Sequence, residues 1–291
     1  MRMRIRGRWF VGLTLAIVTA GCGSKPAPVA KSPEANASKT TGTVPAINQG
    51  DGSLTPEEYV RYGMPAVDRE WSGDDLTRAE GVLSGLSKRG YQILPKYQSE
   101  RSGEVFARMT SVKNLELLRN KSQPVDTRFT QAVEYYDASS RLLKLYLTAY
   151  VKKGVKENDL FELIGARLRL AVVILDLGDE FVASLKQDDP NYQSRLQGLE
   201  GMKQGLASVV SGSIQTLKAR GKTPVEDIAK LVGSMQETFP RIVPQLPLDA
   251  RVETLVEVTR LRDDPEMQDL KSKLQELHST VKAAMDKSPT R

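Results

Sequence analysis

Asp176, Asp179 and Glu180, within LDLGDEF, stand at i, i+3 and i+4, a spacing that places three carboxyl groups on one face of a helix. Beside an apolar core, desolvation raises a carboxyl pKa toward use as a general acid, the group that glycosidic-bond cleavage requires. The same spacing suits ion pairs with arginines of neighbouring helices, Arg141 and Arg169 being the candidates, or a face that meets a ligand or partner. Glu134 and Asp137 raise the same question, and Asp137 lies four residues before Arg141 for an ordinary helix pair. Tyr135, Tyr136, Tyr146 and Tyr150 follow; they suit the boundary between core and surface, or an amphipathic pocket.

Other chemistries lack their residues. His278 is the only histidine and Cys22 the only cysteine, which leaves no zinc cluster, no paired Glu-x-x-His set and no Cys-His relay. A serine triad would have to use His278, and no Gly-x-Ser-x-Gly elbow presents a serine, so His278 reads as part of a solvated helix face. Phosphate loops and dinucleotide fingerprints are missing as well. The stretch QGDGSLTPEE resembles the second half of a calcium loop, with Asp51 and Glu58 at ligand positions. Ile47 falls where the first carboxylate belongs, so a turn followed by a helix cap accounts for it better. These residues assign no catalytic group, metal or cofactor.

The chain carries 42 basic and 36 acidic residues, a formal charge of +6. Four of the basic residues are Arg2, Arg4, Arg6 and Arg8, which leaves 38 against 36, or +2, from residue 22 onward. The remaining charges are interspersed, as on a solvated surface, and do not favour nucleic acid as a partner.

Those four arginines precede WFVGLTLAIVTA and the small pair Ala20 and Gly21, the layout of a secretory signal over residues 1–21. The apolar run of 12 residues is shorter than the ~20 of a spanning helix. With Thr19, Ala20, Gly21 and Cys22, the segment resembles a bacterial lipoprotein precursor, although Thr19 stands where that family usually has Leu. The resemblance covers about the first 24 residues. It implies that Cys22 is lipid-modified and becomes the new N-terminus of an exported, membrane-anchored cell-envelope protein. Gly23 in place of Asp favours the outer membrane if the cell is Gram-negative. Ordinary cleavage to a secreted chain is the other reading of the same segment. A single cysteine fits either, since a disulfide-stapled domain needs an even set.

Residues 22–53 are rich in Pro, Ala, Ser, Thr and Lys and nearly free of large apolar side chains, the composition of a disordered tether. Helical periodicity begins at residue 54. Thr55, Pro56 and Glu58 form an N-cap, a first-turn proline and a capping-box glutamate, and Thr223, Pro224 and Glu226 repeat the arrangement. Gly90, Gly154 and Gly221 follow basic last turns as stop signals. The pattern predicts helices near 55–62, 73–89, 102–120, 125–153, 158–187, 190–220, 224–238, 249–262 and 265–286, and few or no strands.

The expected fold is all-α: an antiparallel helical bundle over 54–286, built on three long central helices with shorter flanking ones. A sub-boundary is expected at 239–248, where FPRIVPQLPLD forms a rigid strap. The middle long helix, with LRLAVVILDLG, is apolar on nearly every face and should be surrounded by others. The next carries Ser194, Gly198, Gly201, Gly205, Ser208 and Gly212 on one face, which predicts the close approach of another helix backbone. The functional expectation is a lipid-anchored, noncatalytic envelope protein acting as a structural or interaction module, with an envelope protein as partner. A ligand-sensing bundle is the alternative, and a carboxylate-dependent envelope hydrolase stands behind it.

Overall fold

The computed structural model describes residues 51–186, 188, 192–221 and 223–285. The signal segment, Cys22 and most of the expected tether therefore lie outside the described residues. Among the described residues the protein is all-α, without a strand: α1 (Pro56–Arg61), α2 (Gly73–Ser87), α3 (Gly103–Met109), α4 (Val112–Leu118), α5 (Val125–Val151), α6 (Glu157–Ser184), α7 (Tyr192–Lys218), α8 (Val225–Ile242), α9 (Leu248–Arg262) and α10 (Lys271–Met285). None of these helices is long and apolar enough to cross a membrane.

α6 is the wall between two cores, which explains why its sequence is apolar all round. Leu160, Leu163, Leu170, Val173, Ile174 and Leu177 pack with α1 to α5, around Trp71, Phe106 and Tyr146. Phe161, Ile164, Leu168, Ala171 and Leu175 pack on the other side with α7 to α10, around Met235, Phe239 and Leu274. Cross-helix pairs give the directions. Tyr150 meets Glu157, Ser140 meets Arg167 and Arg128 meets Glu180, so α5 and α6 are antiparallel. Gly165 lies against Ser234, Arg169 bonds Glu237 and Asp179 bonds Arg241, so α8 runs alongside α6 in the same sense.

This arrangement corrects the expected heart of the bundle. The main neighbours of α6 are α5 and α8, and α7 touches it less. α7 buries Leu199, Leu206, Val209, Val210, Ile214 and Leu217, and this apolar stripe decides its orientation. Ser194, Gly198, Gly201, Gly205 and Ser208 are consequently exposed, and Gly212 is half-buried. A Cβ on Gly198, Gly201, Gly205 or Gly212 would meet nothing within 4 Å, so no helix backbone approaches the stripe. The close approach occurs instead at Gly165 in α6, where a Cβ would lie 2.9 Å from the Ser234 hydroxyl oxygen of α8.

Local chemistry adjusts several boundaries. The single helix expected over 102–120 is two, because Ser111 accepts from the Lys113 amide and starts α4 anew. α8 continues through Pro240 to Ile242, and a 3-10 turn at Val243–Gln245 follows. The expected strap is core, since Ile242, Val243 and Leu246 are almost fully buried. Thr55 and Glu58 form the reciprocal capping box, whereas Thr223 donates to the Arg220 carbonyl and leaves Pro224 as the cap of α8.

α5 ends one residue away from its expected glycine. The Gly154 amide bonds the Ala149 carbonyl and the Lys153 amide bonds the Tyr150 carbonyl, a Schellman pair with Lys153 in the left-handed position at φ 58°. Gly154 serves another purpose: a Cβ there would lie 2.3 Å from Tyr91 Cβ and 2.7 Å from the Tyr91 carbonyl carbon. The bare backbone lets the 91–97 segment seat against the α5–α6 turn.

Candidate functional site

The three carboxylates read from the sequence do share one face of α6, and each is met by an arginine from another helix or its end. Arg241, in the last turn of α8, places Nε 2.9 Å from Asp176 and Nη2 2.5 Å from Asp179. Arg119, at the end of α4, reaches Asp176 at 3.3 Å. Arg128 of α5, itself buried, grips both oxygens of Glu180 at 3.2 and 2.5 Å. Hydrogen bonds from Arg128 and its charge hold the Glu180 carboxyl below the usual range, opposite to what a general acid needs. The partners anticipated for this face are engaged elsewhere: Arg141 pairs with Glu80 of α2, and Arg169 with Glu237 of α8. The arrangement clasps α4, α5 and α8 onto α6.

The tyrosines are structural as well. Tyr146 is fully buried and donates to the Pro95 carbonyl at 2.7 Å. The Tyr135 hydroxyl accepts from Asn114 at 3.0 Å, and Tyr136 lies under the Arg167 guanidinium. Burial pushes the Tyr135 phenol up to about 12. His278 is half-buried on α10, and burial together with the charges of Arg262 and Lys282 pushes its pKa down. Asp51 and Glu58 of the calcium-like stretch are occupied from within the chain. Burial works against the Asp51 charge, yet hydrogen bonds from Ser53 and Ser99 and the charge of Lys96 hold it at about 2. Glu58 accepts from the Thr55 amide and pairs with Arg101. Ile47 lies outside the described residues. Among the described residues no cluster of His, Cys, Asp and Glu suits a metal ion.

Two features carried no sequence signal. Asp159, in the first turn of α6, is buried and accepts from the backbone amides of Tyr97 at 2.6 Å and Lys156 at 2.7 Å. Burial raises its pKa to about 6 despite those bonds and the charges of Lys96 and Lys156. Tyr97 is far away in sequence, so no spacing announces the contact. The second feature is α9, which buries Arg251 and Thr254 and turns Leu248, Val252 and Val256 outward, Leu248 being 68% exposed.

A groove of about 590 Å³ lies between the start of α5, the end of α6 and the first turns of α7. Phe181 and Arg195 line it, with Asp126 and Lys186. The Arg195 guanidinium sits 5.5 Å over the Phe181 ring, which stacks on Phe129 at 5.1 Å. No protein-family model matches this chain, and no curated protein or solved structure is detectably similar to it.

Proposed function

We propose that this chain is a lipid-anchored, noncatalytic protein of the bacterial cell envelope, whose helical domain acts as a structural or protein-interaction module. The anchor reading comes from the arginines, apolar run and Cys22 of the N-terminal segment, with the outer membrane favoured by Gly23. The noncatalytic reading is carried by one observation: the carboxylates best spaced for chemistry are bridged by Arg119, Arg128 and Arg241 and join helices together. Outward Leu248, Val252 and Val256 of α9 add apolar surface of the kind protein partners cover.

Amide variants test this reading. Asp176→Asn, Asp179→Asn and Glu180→Gln keep shape and remove charge, and each is expected to lower the thermal midpoint without abolishing a turnover. A variant as stable as the parent that abolished hydrolysis of an envelope polymer would replace the interaction reading with the enzyme reading, since a general acid contributes on the order of 10² to 10⁴ in rate. Mass spectrometry of the mature N-terminus, with Cys22→Ala as control, tests the anchor.

The groove beside Phe181 favours a second reading, a ligand-binding bundle, because it joins an aromatic face to charged groups of both signs. That reading predicts a small-molecule adduct in native mass spectrometry that disappears in Arg195→Ala.

A further inference from the structure

The turn between α5 and α6 gathers positive charge from segments distant in sequence. Lys152, Lys153 and Lys156 are exposed on the turn itself. Gly154 brings that turn against Tyr91, two residues after exposed Arg89 and three after exposed Lys88 at the end of α2. No carboxylate forms an ion pair with any of these five cations among the described residues. The nearby acids are occupied: Asp51 by Lys96, Glu58 by Arg101, Asp159 by two backbone amides, and Glu157 by the Tyr150 hydroxyl. Apolar side chains stand among the cations. Val151 is 60% exposed, and Tyr62, under the Arg89 guanidinium, is also exposed.

The described chain also starts at this end. Asp51 pairs with Lys96, and Gly52 lies against Gln92, in the same 91–97 segment that rests on Gly154. Asp51 and Gly52, the first described residues, therefore lie at the same end of the domain as the cation cluster. A linker of about 30 residues has a relaxed reach on the order of 30 Å. Anchoring at Cys22 would thus hold this end, rather than the acidic face of α6, nearest the bilayer.

We propose that the cluster of Lys88, Arg89, Lys152, Lys153 and Lys156 around Val151 is a docking surface for an anionic phospholipid bilayer, seating the domain against the membrane to which it is tethered. Cations attract the negative surface potential over roughly a Debye length, and Val151 and Tyr62 suit the interfacial layer. The fold accommodates the cluster because Lys88, Arg89, Lys152 and Lys153 follow the C-terminal ends of α2 and α5, where the helix dipole favours positive charge. The inference rests on the lipid-anchor reading for the identity of the membrane, but the chemistry of the surface is tested without the anchor.

The test uses the full chain carrying Cys22→Ala, in flotation with vesicles of phosphatidylcholine alone or containing phosphatidylglycerol. The apolar segment at 9–20 is common to every sample, so differences between variants report the surface. The parent is expected to partition at least tenfold better into anionic vesicles at low salt and to lose that preference at high salt. Combining Lys152→Gln, Lys153→Gly and Lys156→Gln should weaken partitioning on the order of 100-fold, at about fivefold per cation. A control set on α10, Lys271→Gln, Lys273→Gln and Lys282→Gln, changes net charge equally and should weaken it less than threefold. Thermal melts establish that both sets are folded. Equal loss in the two sets, or no preference of the parent for anionic vesicles, would overturn the proposal. An unmodified Cys22 in the native protein would instead overturn the anchor and leave the vesicle result standing.

Discussion

The two ends of α6 use charge in opposite ways. Toward its C-terminus, Asp176, Asp179 and Glu180 are met by arginines from α4, α5 and α8, so the charges hold helices to one another. At its N-terminus, among the described residues, Lys152 and Lys153 have no ion-pair partner and Lys156 has only the nearby buried Asp159 carboxylate, while the other neighbouring carboxylates are already engaged by Lys96 and Arg101. Clustered charge therefore does not by itself mark a functional surface. What distinguishes the two ends is whether the fold already supplies the counter-charge.

The largest effect that would break this contrast concerns the turn itself. Gly154→Ala places a methyl group where the Tyr91 backbone lies, and is expected to lower stability by about 3 kcal/mol in denaturant unfolding. A loss below about 0.5 kcal/mol would mean that the 91–97 segment is not pinned there.

Asp159, beneath the same turn, predicts a pH dependence of about 3 kcal/mol. Its pKa is raised from 3.8 to about 6, so the folded state holds the proton more tightly than the unfolded chain. The stability it contributes is fully present below 3.8 and is lost as pH rises through about 6. Lys96 and Lys156 face it and moderate the rise. Subtracting the Asp159→Asn profile from the parent should isolate a decline between pH 4 and 6.5. A rise across that window would refute the assignment.

At the paired end, Arg241→Leu leaves Asp176 and Asp179 without their shared cation. The expected loss is about 1 kcal/mol, because the site is partly exposed, and raising salt should shrink it. The smallest effect has the opposite sign. Lys153→Gly relieves a left-handed backbone and should raise stability by about 0.5 to 1 kcal/mol. A stabilising substitution that also removes a cation from the surface separates folding from binding.

The all-α class was legible because helix periodicity and caps agree over most of the chain, and the all-round apolar pattern of α6 announced a helix surrounded by others, though not that two separate cores flank it. The carboxylate face was legible from its spacing alone. Its partners were not, since Arg119, Arg128 and Arg241 lie 52 to 65 residues away and such pairs leave no periodic trace. The small-residue stripe of α7 misled because its sequence shows that a close approach is possible, while Leu199, Leu206 and Ile214 on another face decide which side is buried. Gly154 reads as a helix stop. Its use against Tyr91, with Lys153 taking the left-handed position, depends on a contact between segments that are separate in sequence.

Lysine acetylation of the full chain on anionic vesicles, compared with phosphatidylcholine vesicles, tests the contrast between the two ends most directly. Lys121, exposed and close enough to influence Glu180, serves as the reference at the paired end. The account predicts that Lys88, Lys152, Lys153 and Lys156 lose reactivity severalfold on anionic vesicles while Lys121 keeps its own. Protection of Lys121 to the same degree, or unchanged reactivity at the α5–α6 turn, would contradict it.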